Sequence, residues 1–191
     1  MESRLFQALK AFKGADGCEA NLFKEFKKIA EEAFFSGYFL VNGGCKDAYK
    51  LKLTCIEFYY HEDDGNTKDE KKYLKGKDEF GYALGALCPN PSGVDVLFDD
   101  PQKKYHASFL IRGYKAIEPG KKEWENNEKR KDWAPHDFWY DFFGGANMLS
   151  NGKFSIEWID ESDETLGYAE PMQRIKINDN RLWGFKRVEK L

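Results

Sequence analysis

The stretch KLKLTCIEFYYHEDD, from Lys50 to Asp64, constrains the fold of this chain more than any other. β-Branched and aromatic residues fill its first half with no Gly or Pro among them, so it reads as a strand. Glu57 interrupts that run, flanked by Cys55, Ile56, Phe58 and Tyr59. A carboxylate in apolar company is costly unless it is hydrated, paired or used. Alternation offers the simplest answer, in which Glu57 points to the solvent face of a half-buried strand. The sharper answer is a general acid or base near the C-terminal end of a strand, facing a cleft.

A length of 191 residues suits one domain with a sizeable core. With 41% hydrophobic and 33% charged residues, a soluble globular protein is expected rather than a disordered one. The 16% of aromatic residues fits a core of large rings, or a surface that stacks flat ligands. A net charge of −3 counts against a polycation that coats nucleic acid, though a local basic face remains compatible with it. Cys18, Cys45, Cys55 and Cys88 form no CxxC pair, which favours free thiols in a reducing compartment over a disulfide framework. The N-terminal MESRLFQALKAFKG is amphipathic and lacks the apolar core of a signal peptide. No run approaches the roughly 20 apolar residues of a membrane span, so the expected location is cytoplasmic, without a membrane partner.

Along the chain, Glu19 to Phe35 places Leu22, Phe23, Phe26, Ile29, Ala30 and Ala33 on one helical face, with Lys and Glu opposite. Lys27 with Glu31 and Lys28 with Glu32 stand at i, i+4 spacing. Ser36 and Gly37 stop that helix, Tyr38 to Val41 reads as a short strand, and Asn42, Gly43 and Gly44 turn the chain towards Lys50. His61 to Lys77 is a run of charge around Asp64-Gly65 and is expected to be a solvated loop. His61, Glu62, Asp63 and Asp64 are adjacent, so their side chains diverge, and no metal site is expected of them. Pro89 and Pro91 preclude a long regular element after Phe80. Val94 to Phe98 and Tyr105 to Arg112 read as strands able to pair as a hairpin. Arg112 is either a surface cation or the holder of an anion or a carboxylate such as Glu57.

Lys121 to Lys131 is expected to be an exposed helix, its basic residues interleaved with Trp124 but diluted by glutamates, which makes a weak nucleic-acid signal. Pro135 to Phe143 suits a helix closed by Gly144 and Gly145. Phe154 to Ile159, Gln173 to Ile177 and Leu182 to Val188 read as short strands. The order of elements predicts one α+β domain over residues 1–191, with residues 1–18 a helical extension. Its core is a curved, mostly antiparallel sheet with an N-terminal helix and a few peripheral helices.

Several of these pieces fall in the order of one family. Glu57-Phe58-Tyr59 after Leu53 to Ile56, Leu110-Ile111-Arg112 before Glu118-Pro119-Gly120, Pro171 to Ile177, and Trp183-Gly184-Phe185 together resemble the alkyladenine (3-methyladenine) DNA glycosylases. The likeness runs from about Leu22 to Val188. It implies a base-excision repair fold and activity: a damaged purine is flipped out of double-stranded DNA and its N-glycosidic bond hydrolysed. By that resemblance Glu57 activates the attacking water, Arg112 holds the water and the carboxylate, and Tyr59 stacks on the flipped base. The resemblance implies no metal, nucleotide or redox cofactor and no obligate protein partner. Two positions depart from the family. Asn66 to Tyr73 lacks the histidine that contacts the base, and Asp95 stands where the family has a base-filtering asparagine. An aspartate only accepts, so it favours a base edge rich in donors or a cationic base. The family's Gly-Pro-Gly-Lys-Leu-like turn is echoed only loosely at Gly144 to Leu149. A glycosylase-like fold that binds nucleic acid, nucleotide or protein without catalysis is the alternative.

Overall fold

A computed structural model of the chain describes residues 2–15, 18–43, 46–62, 69, 84–90, 93–100, 102, 105–117, 124–126, 155–162, 166–175 and 177–190. Two helices come first, α1 (Arg4–Lys10) and α2 (Glu19–Phe35). The Ser3 hydroxyl caps α1 by accepting from the Phe6 amide at 3.2 Å. Strands follow: β1 (Gly37–Gly43), β2 (Lys46–Glu62), β3 (Leu84–Asn90), β4 (Gly93–Phe98), β5 (Tyr105–Ile117), β6 (Trp124–Asn126), β7 (Ser155–Asp160), β8 (Gly167–Met172) and β9 (Gly184–Glu189). All their pairings are antiparallel, in one sheet, which makes the fold α+β as expected.

The sheet is built on two long strands. β2 pairs with β5 from Lys50 to Glu62, while its other edge takes β1 along its first half and β9 at Cys55 to Glu57. β5 in turn carries β4 and β6 on its far edge. The main path runs β3-β4-β5-β2-β1-β7. Pro89 is accommodated because β3 ends that path, where a missing N–H costs no ladder bond.

The apolar stripe of α2 explains the core. Leu22, Phe26, Ile29, Ala30, Ala33 and Phe34 are buried, together with Leu5, Leu9 and Phe12 from the N-terminal segment, against Ile56, Phe58 and Tyr60 of β2 and Phe109 and Ile111 of β5. Phe26 is the hinge pin of this packing. Its ring stacks on Phe58 at 4.4 Å and on Phe12 at 5.6 Å, and meets Trp183 edge-on at 5.3 Å. Aromatic content therefore serves the interior first. Gly37 permits the chain to leave α2 directly into the sheet, since a Cβ there would lie 2.1 Å from the Ile159 carbonyl oxygen across β7.

Four expectations change. Within Lys121 to Lys131, Trp124–Asn126 is a strand rather than helix, because the free edge of β5 supplies ladder partners that an isolated charged helix lacks. Gln173, Arg174, Ile175 and Ile177 are not in a strand: pairing with β9 ends at Met172, and Ile175 lies in a turn. The strand in that region is β8, which was not anticipated. Gly43 belongs to β1, pairing with Lys46, rather than to a turn. The segments Pro135 to Phe143 and Gly144 to Leu149 lie outside the described residues. Among the described residues no helix is long and apolar enough to cross a membrane.

Truncating Phe26 removes the ring that joins α2 and Phe12 to the sheet. Phe26→Ala should lose about 3–5 kcal/mol, read as a fall in the urea midpoint at unchanged slope, while Phe26→Leu keeps most of it.

Candidate functional site

The alternation of β2 changes phase halfway along. Leu51 and Leu53 face the helix-packed core, and beyond them Ile56, Phe58 and Tyr60 do. The cause is a pair of compensating bulges. Leu53 opposes Tyr114 and Cys55 opposes Gly113, which leaves Thr54 extra on β2; Ile56 then opposes Ile111, which leaves Arg112 extra on β5. Without the shift, Glu57 would continue the phase of Leu51 and Leu53 into the apolar core. With it, Cys55, Glu57, Tyr59 and His61 face the opposite side of the sheet, alongside Ser108, Leu110 and Arg112 of β5 and Asp95 of β4.

Glu57 is entirely buried there, at 0% exposure, so the solvent-face answer does not hold. Three donors meet its carboxylate. Arg112 Nε donates to Oε2 at 2.8 Å, the Tyr59 hydroxyl donates to the same oxygen at 3.1 Å, and the Ile175 amide donates to Oε1. Arg112 Nη2 also reaches the Ile175 carbonyl oxygen, at 3.5 Å. Arg112 is therefore no surface cation. Burial alone would lower its pKa, but the adjacent charge of Glu57 outweighs this and raises it. Burial first, and then the charge of Glu57, push the Tyr59 phenol far above its usual value.

Tyr59 is 6% exposed. The Arg174 guanidinium lies over its ring at 5.1 Å, and Ile177 packs on Tyr59 and Leu110. Asp95 is buried and accepts from the Ser108 hydroxyl at 3.0 Å. Its strand register sets it opposite Leu110, the residue that also stands opposite Glu57. The four residues singled out from the sequence, Glu57, Tyr59, Asp95 and Arg112, thus share one face of three adjacent strands.

A second cluster, at the backbone edge of β2 around Phe58 and Tyr60, was missed. Asp69 and Arg174 are both fully buried as side chains and pair through two bonds of 2.8 Å each. Arg181 joins Asp69 at 2.7 Å, and Asp179 accepts from both arginines. Arg174 also donates to the Phe58 carbonyl at 3.0 Å, and the Tyr60 amide donates to Asp69 at 3.0 Å. Asp69 belongs to the run expected to be a solvated loop, and its burial, with that of His61, corrects the expectation for these residues. A charge-rich stretch conceals which of its carboxylates is matched by a distant guanidinium. Burial alone would raise the pKa of Asp179 and lower that of Arg174. The hydrogen bonds and charges between the carboxylates and arginines outweigh it, lowering Asp179 and raising Arg174. Among the described residues no group of three His, Cys, Asp or Glu is placed to hold a metal.

Comparison with known proteins yields no match: no family model, no curated protein and no solved structure is similar to this chain.

Two outcomes test the electrostatics. Arg112→Leu strands a buried carboxylate and should cost about 3–5 kcal/mol in urea unfolding, whereas the Glu57→Leu/Arg112→Leu double variant should recover much of that loss. Asp179 has a lowered pKa in the fold, so its contribution is present above the unfolded value of about 3.9 and disappears as pH falls through the folded one. The stability difference between the native protein and Asp179→Asn should therefore be constant from pH 7 to about 5 and shrink below about 4.

Proposed function

We propose that this protein hydrolyses an N-glycosidic bond of a flipped, damaged purine in duplex DNA, with Glu57 as the general base. The observation that carries the reading is the Glu57 carboxylate bound by Arg112 at 2.8 Å and by the Tyr59 hydroxyl at 3.1 Å on a single buried face. A carboxylate offers about four acceptor sites. Tyr59 and Arg112 take both on Oε2, and the Ile175 amide takes one on Oε1, so the fourth, on Oε1, is the place for a nucleophilic water. In the reaction the water oxygen bonds to the anomeric carbon while Glu57 takes its proton. The electron pair of the broken C–N bond leaves with the purine. Arg112 and the Ile175 carbonyl, which bond to each other at 3.5 Å beside Glu57, are the groups assigned to orient the water. Asp95 adds negative charge to the same face, which suits a base made cationic by alkylation.

Seating a purine at Tyr59 requires Ile177 to yield, since Arg174 already covers part of the ring. That same burial favours a second reading, a glycosylase-like protein that binds nucleic acid, nucleotide or a protein partner without catalysis.

Duplex oligonucleotides carrying methylated or deaminated purines separate the two. Abasic sites, revealed by alkaline strand cleavage, should form with the native protein and fall by roughly 10²–10⁴-fold with Glu57→Gln. DNA affinity at low salt with no abasic sites would establish the second reading, and neither on a broad lesion panel would end the first.

A further inference from the structure

The Ile175 peptide is the third support of Glu57. Its N–H donates to Glu57 and its carbonyl accepts from Arg112, yet it lies in a turn outside any strand. What fixes it is the residue before it. Arg174 has no exposed side-chain surface and ties this segment to the Phe58 carbonyl of β2 at 3.0 Å and to the Asp69 carboxylate through two bonds of 2.8 Å. Phe58 lies between Glu57 and Tyr59 in the chain, so the anchor and the carboxylate share one stretch of backbone. Asp69 is itself bound to that stretch: its carboxylate accepts from the Tyr60 amide at 3.0 Å, and its own amide donates to the Tyr60 carbonyl at 2.6 Å. Arg181 secures the far end of the segment on the same carboxylate at 2.7 Å.

We propose that Asp69 and Arg174 are positioning residues, which hold the Ile175 peptide against Glu57 and Arg112 so that the carboxylate and the water it activates keep one geometry. A planar fork suits this task, because a bidentate pair fixes direction as well as distance. Arg174 and Arg181 clamp the two ends of the segment, with Ile177, packed on Tyr59 and Leu110, between them. The assignment rests on Glu57 acting as the general base, but its central claim, that Asp69 sets the Ile175 peptide, stands on geometry alone and is tested separately.

The Ile175 amide proton is the reporter, since an N–H bonded to a carboxylate resonates downfield. In ¹⁵N-labelled full-length protein, Glu57→Gln sets the position of that resonance when the charged acceptor is gone. Asp69→Asn and Arg174→Lys should move it towards that position, and Arg181→Gln, at a partly exposed side chain, should move it in the same direction by less. Leu9→Val, a core change in α1, lowers the melting temperature without moving it. On the lesion duplex the Asp69→Asn variant should lose roughly 10²-fold in kcat with KM unchanged, the signature of misplacement rather than of weakened binding. An Ile175 resonance unmoved by Asp69→Asn and by Arg181→Gln overturns the proposal, whatever the activity. If Asp69→Asn does not fold, Arg181→Gln decides alone. If the native protein makes no abasic sites, the hydrolase reading fails while the resonance still decides the positioning role.

Discussion

A carboxylate stripped of water near the middle of a sheet is tolerable only if fixed donors replace the hydration it has lost. Glu57 meets that condition through a guanidinium, a phenol and a backbone amide, each from a different stretch of chain. The cost of burying the charge is several kcal/mol, and the charge-assisted bonds that offset it are individually worth about 1.5–3 kcal/mol. Such a balance leaves little room for error in placement. The bulges, the turn at Ile175 and the Asp69 clasp are therefore read best as devices that bring three donors to one point. The apolar side of the sheet makes no such demand, because ring packing tolerates small shifts that a directional bond does not.

The two faces divide the work. One is dry, aromatic and covered by the helices, and it holds β2 and β5 rigidly through rings such as Phe26, Phe58 and Phe109. The other is lined by polar groups on the same two strands and is crossed by a segment without regular structure. Residues at strand centres move least, so a site assembled on Glu57, Tyr59 and Arg112 inherits the order of the core beneath it.

Much of this was legible in residue order. The stripe of α2 gave its bounds directly, since Leu22, Phe26, Ile29 and Ala33 recur at helical spacing until Ser36 and Gly37 interrupt it. The strands rich in Val, Ile and aromatics, such as Val94 to Phe98, were equally plain. Even the bulge leaves a trace, because the apolar phase of Leu51 and Leu53 gives way to that of Ile56, Phe58 and Tyr60 at Thr54-Cys55. What local pattern does not carry is partnership at a distance. Asp69 and Arg174 are separated by 105 residues, and nothing around either marks it as matched. Trp124–Asn126 shows the same limit, since its strand conformation comes from the open edge of β5 rather than from its own composition.

The kind of cation on this face bears on the chemistry it can support. Glu57, Asp69 and Asp179 are each paired with arginine, while Asp95 accepts from the Ser108 hydroxyl. A guanidinium directs its bonds in a plane and does not surrender its proton near neutral pH, so it orients a neighbouring carboxylate without giving up a proton to it. Tyr59 is excluded from proton transfer for a different reason, because burial and then the charge of Glu57 hold its phenol protonated well beyond the usual range. The Ile175 amide is not titratable at all. Of the groups bonded together at this point, the carboxylate alone is able to accept a proton, and the others fix where it does so. A buried ion pair selected only for stability has no need of that asymmetry, since an apolar pair of similar volume serves at least as well. That asymmetry is compatible with the role proposed for Glu57 as a general base.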